Sequence, residues 1–81
     1  MPRYFFHMAD GSRERDEEGT ELPDHNAARR EAIKFAGAVL NDQPDVLWDS
    51  RDFRVEVTDE AGLMLFTIIT LAVDAPASGR T

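Results

Sequence analysis

The chain has 81 residues, of which 42% are apolar and 31% charged, with a formal net charge of −7 and no cysteine. A chain this short has room for one domain with a modest core, so a large internal substrate cleft is not expected. The lack of cysteine excludes a disulfide framework and a thiolate zinc site, and the acidic balance disfavours nucleic acid as a partner.

The N-terminal residues do not follow the pattern of a secretory signal, which needs a basic start and an apolar stretch of about seven residues or more. The longest run without a charge, Leu63 to Val73, has 11 residues. A membrane helix needs about 20 residues. We therefore expect a soluble cytoplasmic protein with no membrane partner.

The first element in the chain is a short aromatic run, Arg3 to Met8, which predicts a β-strand. The dipeptide Asp10-Gly11 follows it and is typical of a two-residue hairpin turn. With that turn, His7 faces Glu14 across the hairpin. The second strand is polar on both faces and belongs at a sheet edge, where charges discourage further pairing.

A helix is predicted next, after a turn-like segment over residues 17–23. Asp24 is a good N-cap, and apolar residues then recur at helical spacing from His25 to Leu40. We expect Asn41 to end the helix in the left-handed conformation, with Pro44 beyond it. The apolar stripe is rich in alanine, which lets the helix pack closely on a sheet.

Two strands are predicted in the C-terminal half of the chain. Residues 42–52 have no periodicity and are interpreted as a loop. Phe53 to Asp59 alternates between apolar and polar residues, as in a half-buried strand. A three-residue loop, Glu60-Ala61-Gly62, then leads to Leu63–Val73, which is interpreted as a strand buried on both faces.

The order of elements, β, β, α, β, β, predicts an α+β fold with a four-stranded antiparallel sheet and one helix packed on one face. A helix that joins the second strand to the third, with the first strand between them, gives the order second-first-third-fourth. The alternative order, second-first-fourth-third, places the most apolar strand inside the sheet. The single domain is expected to cover residues 1–74, and residues 75–81 to form a flexible tail.

Few residues indicate chemistry. His7, expected opposite Glu14 and near Asp16, could form a histidine–carboxylate metal or acid–base site, but a structural strand histidine in an open hairpin is the simpler interpretation. His25 is interpreted as a solvated residue of the first helical turn. The acidic run over residues 16–19 lacks the alternating oxygen ligands of a calcium loop. We therefore predict no catalytic residue, no metal and no cofactor.

The segments MPRYFFH, DEEGTELPD and AARREA, followed by VEVTDEAG, resemble a family of small bacterial proteins of unknown function that begin with a nearly identical aromatic strand. The likeness covers about residues 2–70. It implies a free-standing domain of the same fold and brings no activity, cofactor or catalytic residue. The chain departs from the family pattern at Thr70, which concerns the end of the last strand. The resemblance also implies a shared surface or scaffold made of these residues: Tyr4, Phe5, Phe6, His7, Asp16, Glu17, Glu18, Gly19 and Leu22.

Counting faces from the loop at residues 60–62 places Val57 opposite Leu65 on the face that the helix covers. The other face then receives three large apolar residues of the last strand: Met64, Phe66 and Ile68. One helix cannot cover both faces, and exposed apolar patches usually mark an interface. We therefore predict a homodimer that uses these three residues, formed by stacking the open faces or by pairing the edges of the last strand.

The function that these patterns favour is a small acidic interaction module without enzymatic activity. The alternative is an antitoxin-like regulator that neutralises a basic protein partner. Both suit the size and charge of the chain, and no motif chooses between them.

Overall fold

The fold is described by a computed structural model that covers residues 1–9 and 13–76. In these residues the elements are β1 (Arg3–Ala9), β2 (Arg13–Glu14), β3 (Thr20–Glu21), α1 (His25–Asp42), α2 (Asp45–Ser50), β4 (Asp52–Thr58) and β5 (Met64–Leu71). The predicted turn at Asp10-Gly11 and most of the predicted tail, residues 77–81, lie outside the described residues.

The strands form an antiparallel sheet in the order β2-β1-β4-β5, and β3 also pairs with β1. This confirms the predicted α+β fold and the predicted strand order, with β4 and β5 as the third and fourth strands. The alternative order, with the last strand inside the sheet, is wrong because β5 lies at the edge beyond β4.

Helix α1 starts where the sequence predicts. The side chain of Asp24 accepts a hydrogen bond of 2.9 Å from the backbone N–H of Ala27, which confirms it as the N-cap. The predicted left-handed end at Asn41 is wrong, since the helix continues to Asp42. The N–H of Gln43 still donates to the carbonyl of Val39 at 2.8 Å, so the helical hydrogen bonding runs past Asn41.

The core lies between α1 and the middle of the sheet. The helix buries a stripe of small residues, Ala28, Ala32 and Ala36, which lets its backbone approach the sheet closely. The sheet contributes its largest fully buried side chains from alternate positions of β4: Phe53, Val55 and Val57. We call the sheet surface that α1 does not cover the open face.

The segment after α1 is a short helix, so the predicted loop over residues 42–52 is wrong. Helix α2 is capped at its C-terminus by Arg51, whose φ of 70° places it in the left-handed region and whose N–H donates to the carbonyl of Leu47 at 2.8 Å. Trp48 remains half exposed, with the guanidinium of Arg51 5.8 Å from its ring centre. This helix has only six residues, which is too short to produce a clear apolar periodicity, so the sequence did not indicate it.

The first hairpin has a different register from the predicted one. Ala9 pairs with Arg13 and Met8 with Glu14, so three residues rather than two separate the paired ends. The second strand is also interrupted. Only Arg13–Glu14 forms β2, and β1 is then paired again by β3, within a segment that the sequence predicted to be a turn.

The last hairpin follows the prediction at its loop but not along its strands. The N–H of Asp59 donates to the carbonyl of Leu63 at 3.1 Å, and Gly62 has the expected left-handed φ of 85°. The register then shifts by one residue between Val57 and Thr58, so Val57 pairs with Phe66. A one-residue shift exchanges the two faces of a strand.

This β-bulge corrects two predictions about β5. Phe66 and Ile68 lie on the helix-covered side and pack against the core, so their predicted place on the open face is wrong. The open face instead receives Thr67, Ile69 and Leu71. The prediction that the strand is buried on both faces is also wrong, because Leu71 is 66% exposed.

Candidate functional site

His7 lies on the open face of β1, opposite Glu56 of β4, and both side chains are buried. Its Nδ1 accepts a hydrogen bond of 3.0 Å from the backbone N–H of Asp16, and its Nε2 lies 2.9 Å from Oγ1 of Thr58. Because Nδ1 is an acceptor, the proton of the neutral ring is on Nε2, which donates to Thr58. The ring thus joins β1, β4 and the segment that follows β2.

That segment, residues 15–19, is called the edge excursion here, because it leaves the sheet between β2 and β3. Asp16 holds it against β1. One carboxylate oxygen accepts the N–H of Phe6 at 3.2 Å, in the gap between the two short edge strands. The other accepts the N–H groups of Glu18 at 3.1 Å and Gly19 at 3.0 Å. The side chain therefore replaces the missing strand partner at the middle of β1.

These hydrogen bonds set the ionisation of Asp16. Burial alone would raise the pKa of its carboxyl, but the N–H groups of Gly19, Phe6 and Glu18 outweigh burial and hold the pKa below its ordinary value of 3.8. The carboxylate form is the one that accepts these donors. The side chain of Asp16 is therefore a charged carboxylate that caps the backbone of β1.

Gly19 closes the edge excursion against β1. Its φ is 72°, and a Cβ at this position would lie 2.9 Å from Cγ of Arg3 and 2.9 Å from Cε2 of Phe5. The guanidinium of Arg3 crosses the same segment, with a hydrogen bond of 2.8 Å to the carbonyl of Glu18. The acidic run of residues 16–19 thus packs closely on β1, and a side chain in place of Gly19 would be strained and crowded.

The candidate histidine–carboxylate pair is not formed. Glu14 pairs with Met8, not with His7, and so projects to the helix-covered side of the sheet. His25 packs its ring edge-on against Tyr4, with the ring centres 5.7 Å apart. Within residues 1–9 and 13–76, no three His, Cys, Asp or Glu side chains are grouped in a way that could hold a metal ion.

The most unusual surface of the described chain is the outer edge of β5. This strand ends the sheet, and no residue from Leu63 to Val73 carries a charge. Large apolar side chains are widely exposed along it: Met64, Ile69 and Leu71 in the strand, Leu63 just before it and Val73 just beyond it. A long, uncharged edge of this kind is a ready template for pairing with another strand.

Of the three predicted interface residues, the one before the bulge is exposed and the two after it are partly buried. Met64 is 47% exposed at the start of β5, whereas Phe66 and Ile68 are partly buried against the core. The exposed residues that sequence reasoning missed are Ile69 and Leu71. Thr58, the partner of His7, was missed as well, since nothing in its local sequence marks it.

No helix in the described ranges combines the length and the apolar character needed to cross a membrane. The chain matches the family model described as Domain of unknown function (DUF6894) over residues 3–72, and so belongs to this family. A search of curated proteins found no match, and neither did a search of solved structures.

Proposed function

We propose that this DUF6894 domain is a non-enzymatic interaction module that acts as a homodimer. The observation that carries the proposal is the uncharged, exposed edge strand β5. Each large apolar side chain left in water forgoes about 1.5–3 kcal/mol of burial. Contiguous exposed groups of this kind usually mark an interface.

The non-enzymatic part of the proposal is supported by the role of His7. Both of its ring nitrogens are engaged in hydrogen bonds that hold the edge excursion to the sheet. Asp16 is likewise occupied by three backbone N–H groups. Residues used in this way stabilise a scaffold and are not presented to a substrate.

Sedimentation equilibrium tests the proposal. The wild-type chain should have twice its mass of 9.1 kDa at micromolar concentration. Ile69→Lys should make it a monomer, because a charge is placed in the apolar edge. The predicted residue Phe66 is a poorer test, since Phe66→Glu would disturb the core directly.

A matched control is available on α1, where Ile33 is 57% exposed against 60% for Ile69. Ile33→Lys makes the same chemical change on a different surface and should leave the dimer intact. A wild-type monomer at high concentration would refute the proposal. Dissociation by Ile33→Lys but not by Ile69→Lys would show that β5 is not the interface.

The alternative function is an antitoxin-like regulator that binds a basic protein. It is favoured by the acidic surface around the edge excursion, where four glutamates are exposed: Glu14, Glu17, Glu18 and Glu21. A stable basic partner that co-purifies with the chain, and that is lost on combining Glu17→Gln with Glu18→Gln, supports this function. Self-association that these two changes leave intact supports the homodimer.

A further inference from the structure

One hydrogen bond shows which backbone groups of β5 face the free edge of the sheet. The N–H of Ala72 donates to the carbonyl of Arg51 at 3.1 Å, so Ala72 directs its backbone groups toward β4. In an antiparallel ladder these directions alternate along the strand. The backbone N–H and C=O groups of Ile68 and Thr70 therefore also point to β4. Three residues direct both backbone groups away from the sheet: Thr67, Ile69 and Leu71.

The same three residues direct their side chains to the open face, so the free edge and the exposed apolar side chains coincide. The register is regular from the Val57–Phe66 pair to the Asp52–Leu71 pair, and the bulge lies before it. The regular part of the edge thus contains all three outward-facing residues. Ile69 is the middle one.

We infer that a second copy of this chain pairs antiparallel with the β5 edge, with Ile69 opposite Ile69 and Thr67 opposite Leu71 of the other copy. The inference rests on the proposed homodimer and specifies its geometry. Residues opposite each other in an antiparallel pair lie on the same face, so a symmetric pair requires one residue to face itself. Centring on Ile69 uses all three outward-facing residues and forms about six backbone hydrogen bonds.

The charges of the chain explain why the occupant is a second copy. Each copy carries a net charge of −7, so two copies repel wherever their acidic surfaces meet. The segment from Leu63 to Val73 has no charge, which lets two copies meet without opposed like charges. A basic partner would find no acid on this edge to attract it.

The charges also favour edge pairing over stacking of the two open faces. On the open face, the column of β4 next to β5 includes Asp52 and Arg54, which form an ion pair of 3.7 Å with both side chains about 40% exposed. Stacking would take these charges out of water, which is unfavourable unless new partners compensate for the lost hydration. Edge pairing leaves them solvated, and it covers Ile69 with Ile69 of the other copy and Leu71 with Thr67.

Single cysteines test the register, because the chain contains no cysteine of its own. Opposed residues in a hydrogen-bonded pair have Cα atoms about 5.5 Å apart, within disulfide range. Ile69→Cys should therefore form a disulfide-linked dimer on mild oxidation. Thr67→Cys alone and Leu71→Cys alone should not, since each residue lies about 13 Å along the strand from its own copy. A mixture of these two variants should cross-link.

Amide hydrogen exchange gives a second test, which begins with the wild-type chain. Edge pairing protects the N–H groups of Thr67, Ile69 and Leu71, and this protection should be lost in monomeric Ile69→Lys. The N–H groups of Ile68 and Thr70 point to β4 and should be protected in both proteins.

The outcomes separate the inference from the proposed function. A dimer by mass whose Thr67, Ile69 and Leu71 amides exchange freely overturns the edge geometry while the homodimer stands. A dimer in which Thr67→Cys and Leu71→Cys each cross-link alone also overturns it. A monomer by mass overturns the proposed function itself.

Discussion

At one edge of the sheet, the backbone of β1 is occupied along its length by β2, by the Asp16 carboxylate and by β3. At the other edge, β5 presents an uncharged row of outward N–H and C=O groups. Both edges belong to the same small sheet, so their difference does not come from the size of the domain.

In a protein of this size, a protected edge can contribute to stability while an open edge is left for association. Natural sheets protect their edges with short strands, charges and irregular segments, because open edges pair with other chains. The β1 edge has all three forms of protection, including exposed charges at Glu17 and Glu18. In contrast, β5 has eight residues and no charge, and its bulge lies before the regular part of the edge, which is the part that the proposed pairing uses.

Gly19→Ala should have the largest effect on stability and would break the protected edge. The left-handed φ and the 2.9 Å approach to Arg3 and Phe5 leave no room for a methyl group. We expect a loss of about 2–4 kcal/mol in the free energy of unfolding, measured by urea denaturation.

Gly37→Ala is the matched control for that substitution. Gly37 lies in α1, and a Cβ there would meet no atom within 4 Å. The change should stabilise the protein by about 0.5–1 kcal/mol, because alanine is a better helix former. If the two variants were equally stable, the close fit of Gly19 would have no energetic role.

Asp16→Asn should have the next largest effect, about 1–3 kcal/mol, because it removes a carboxylate from three backbone donors. The lowered pKa of Asp16 also predicts a pH dependence. Its contribution is present above the unfolded-state pKa of 3.8 and is lost as pH falls through the lower folded-state value. Wild type should therefore lose its advantage over Asp16→Asn on acidification.

The matched control at the same edge is Glu17→Gln, an exposed change that should alter stability by less than about 0.5 kcal/mol. Chemical denaturation across the acid range measures all three proteins. Asp16→Asn should also form assemblies larger than the dimer at high concentration, since it weakens the cap on the β1 edge. An unchanged acid profile would show that Asp16 does not cap the edge in solution.

The sequence predicted those features that depend on strong local patterns. The Asp24 cap, the alanine-rich helix and the order of strands all follow from residue type and spacing. The interface residues were predicted less well, since only Met64 of the three is widely exposed. The reason is the bulge between Val57 and Thr58, which reverses the faces of β5 and has no sequence signature of its own.

The candidate site around His7 was also only partly predictable. A histidine in an aromatic strand and an acidic run before a glycine are both visible in the sequence. Their connection is not, because it depends on a hydrogen bond from a backbone N–H to a ring nitrogen. Such contacts form only once the register of the first hairpin is fixed, and that register differs from the predicted one by one residue.

Asp24→Ala measures the strength of a cap that belongs to neither edge of the sheet. Asp24 accepts one backbone N–H where Asp16 accepts three. We expect a loss of about 0.5–2 kcal/mol in a thermal or urea melt. A larger loss than that of Asp16→Asn would mean that the number of donors does not determine the strength of these caps.

The smallest expected effect is the response of the protected edge to divalent metal ions. A metal at His7 would have to displace the N–H of Asp16 from Nδ1 or the proton of Nε2 that Thr58 accepts. It would leave the N–H of Asp16 or the hydroxyl of Thr58 without its partner. We therefore expect no binding of zinc, nickel or manganese near micromolar concentration in calorimetric titration. His25→Ala serves as the control for weak binding at the exposed histidine. Submicromolar binding that persists in His25→Ala and disappears in His7→Ala would make His7 a metal ligand and the edge excursion a movable cover over it.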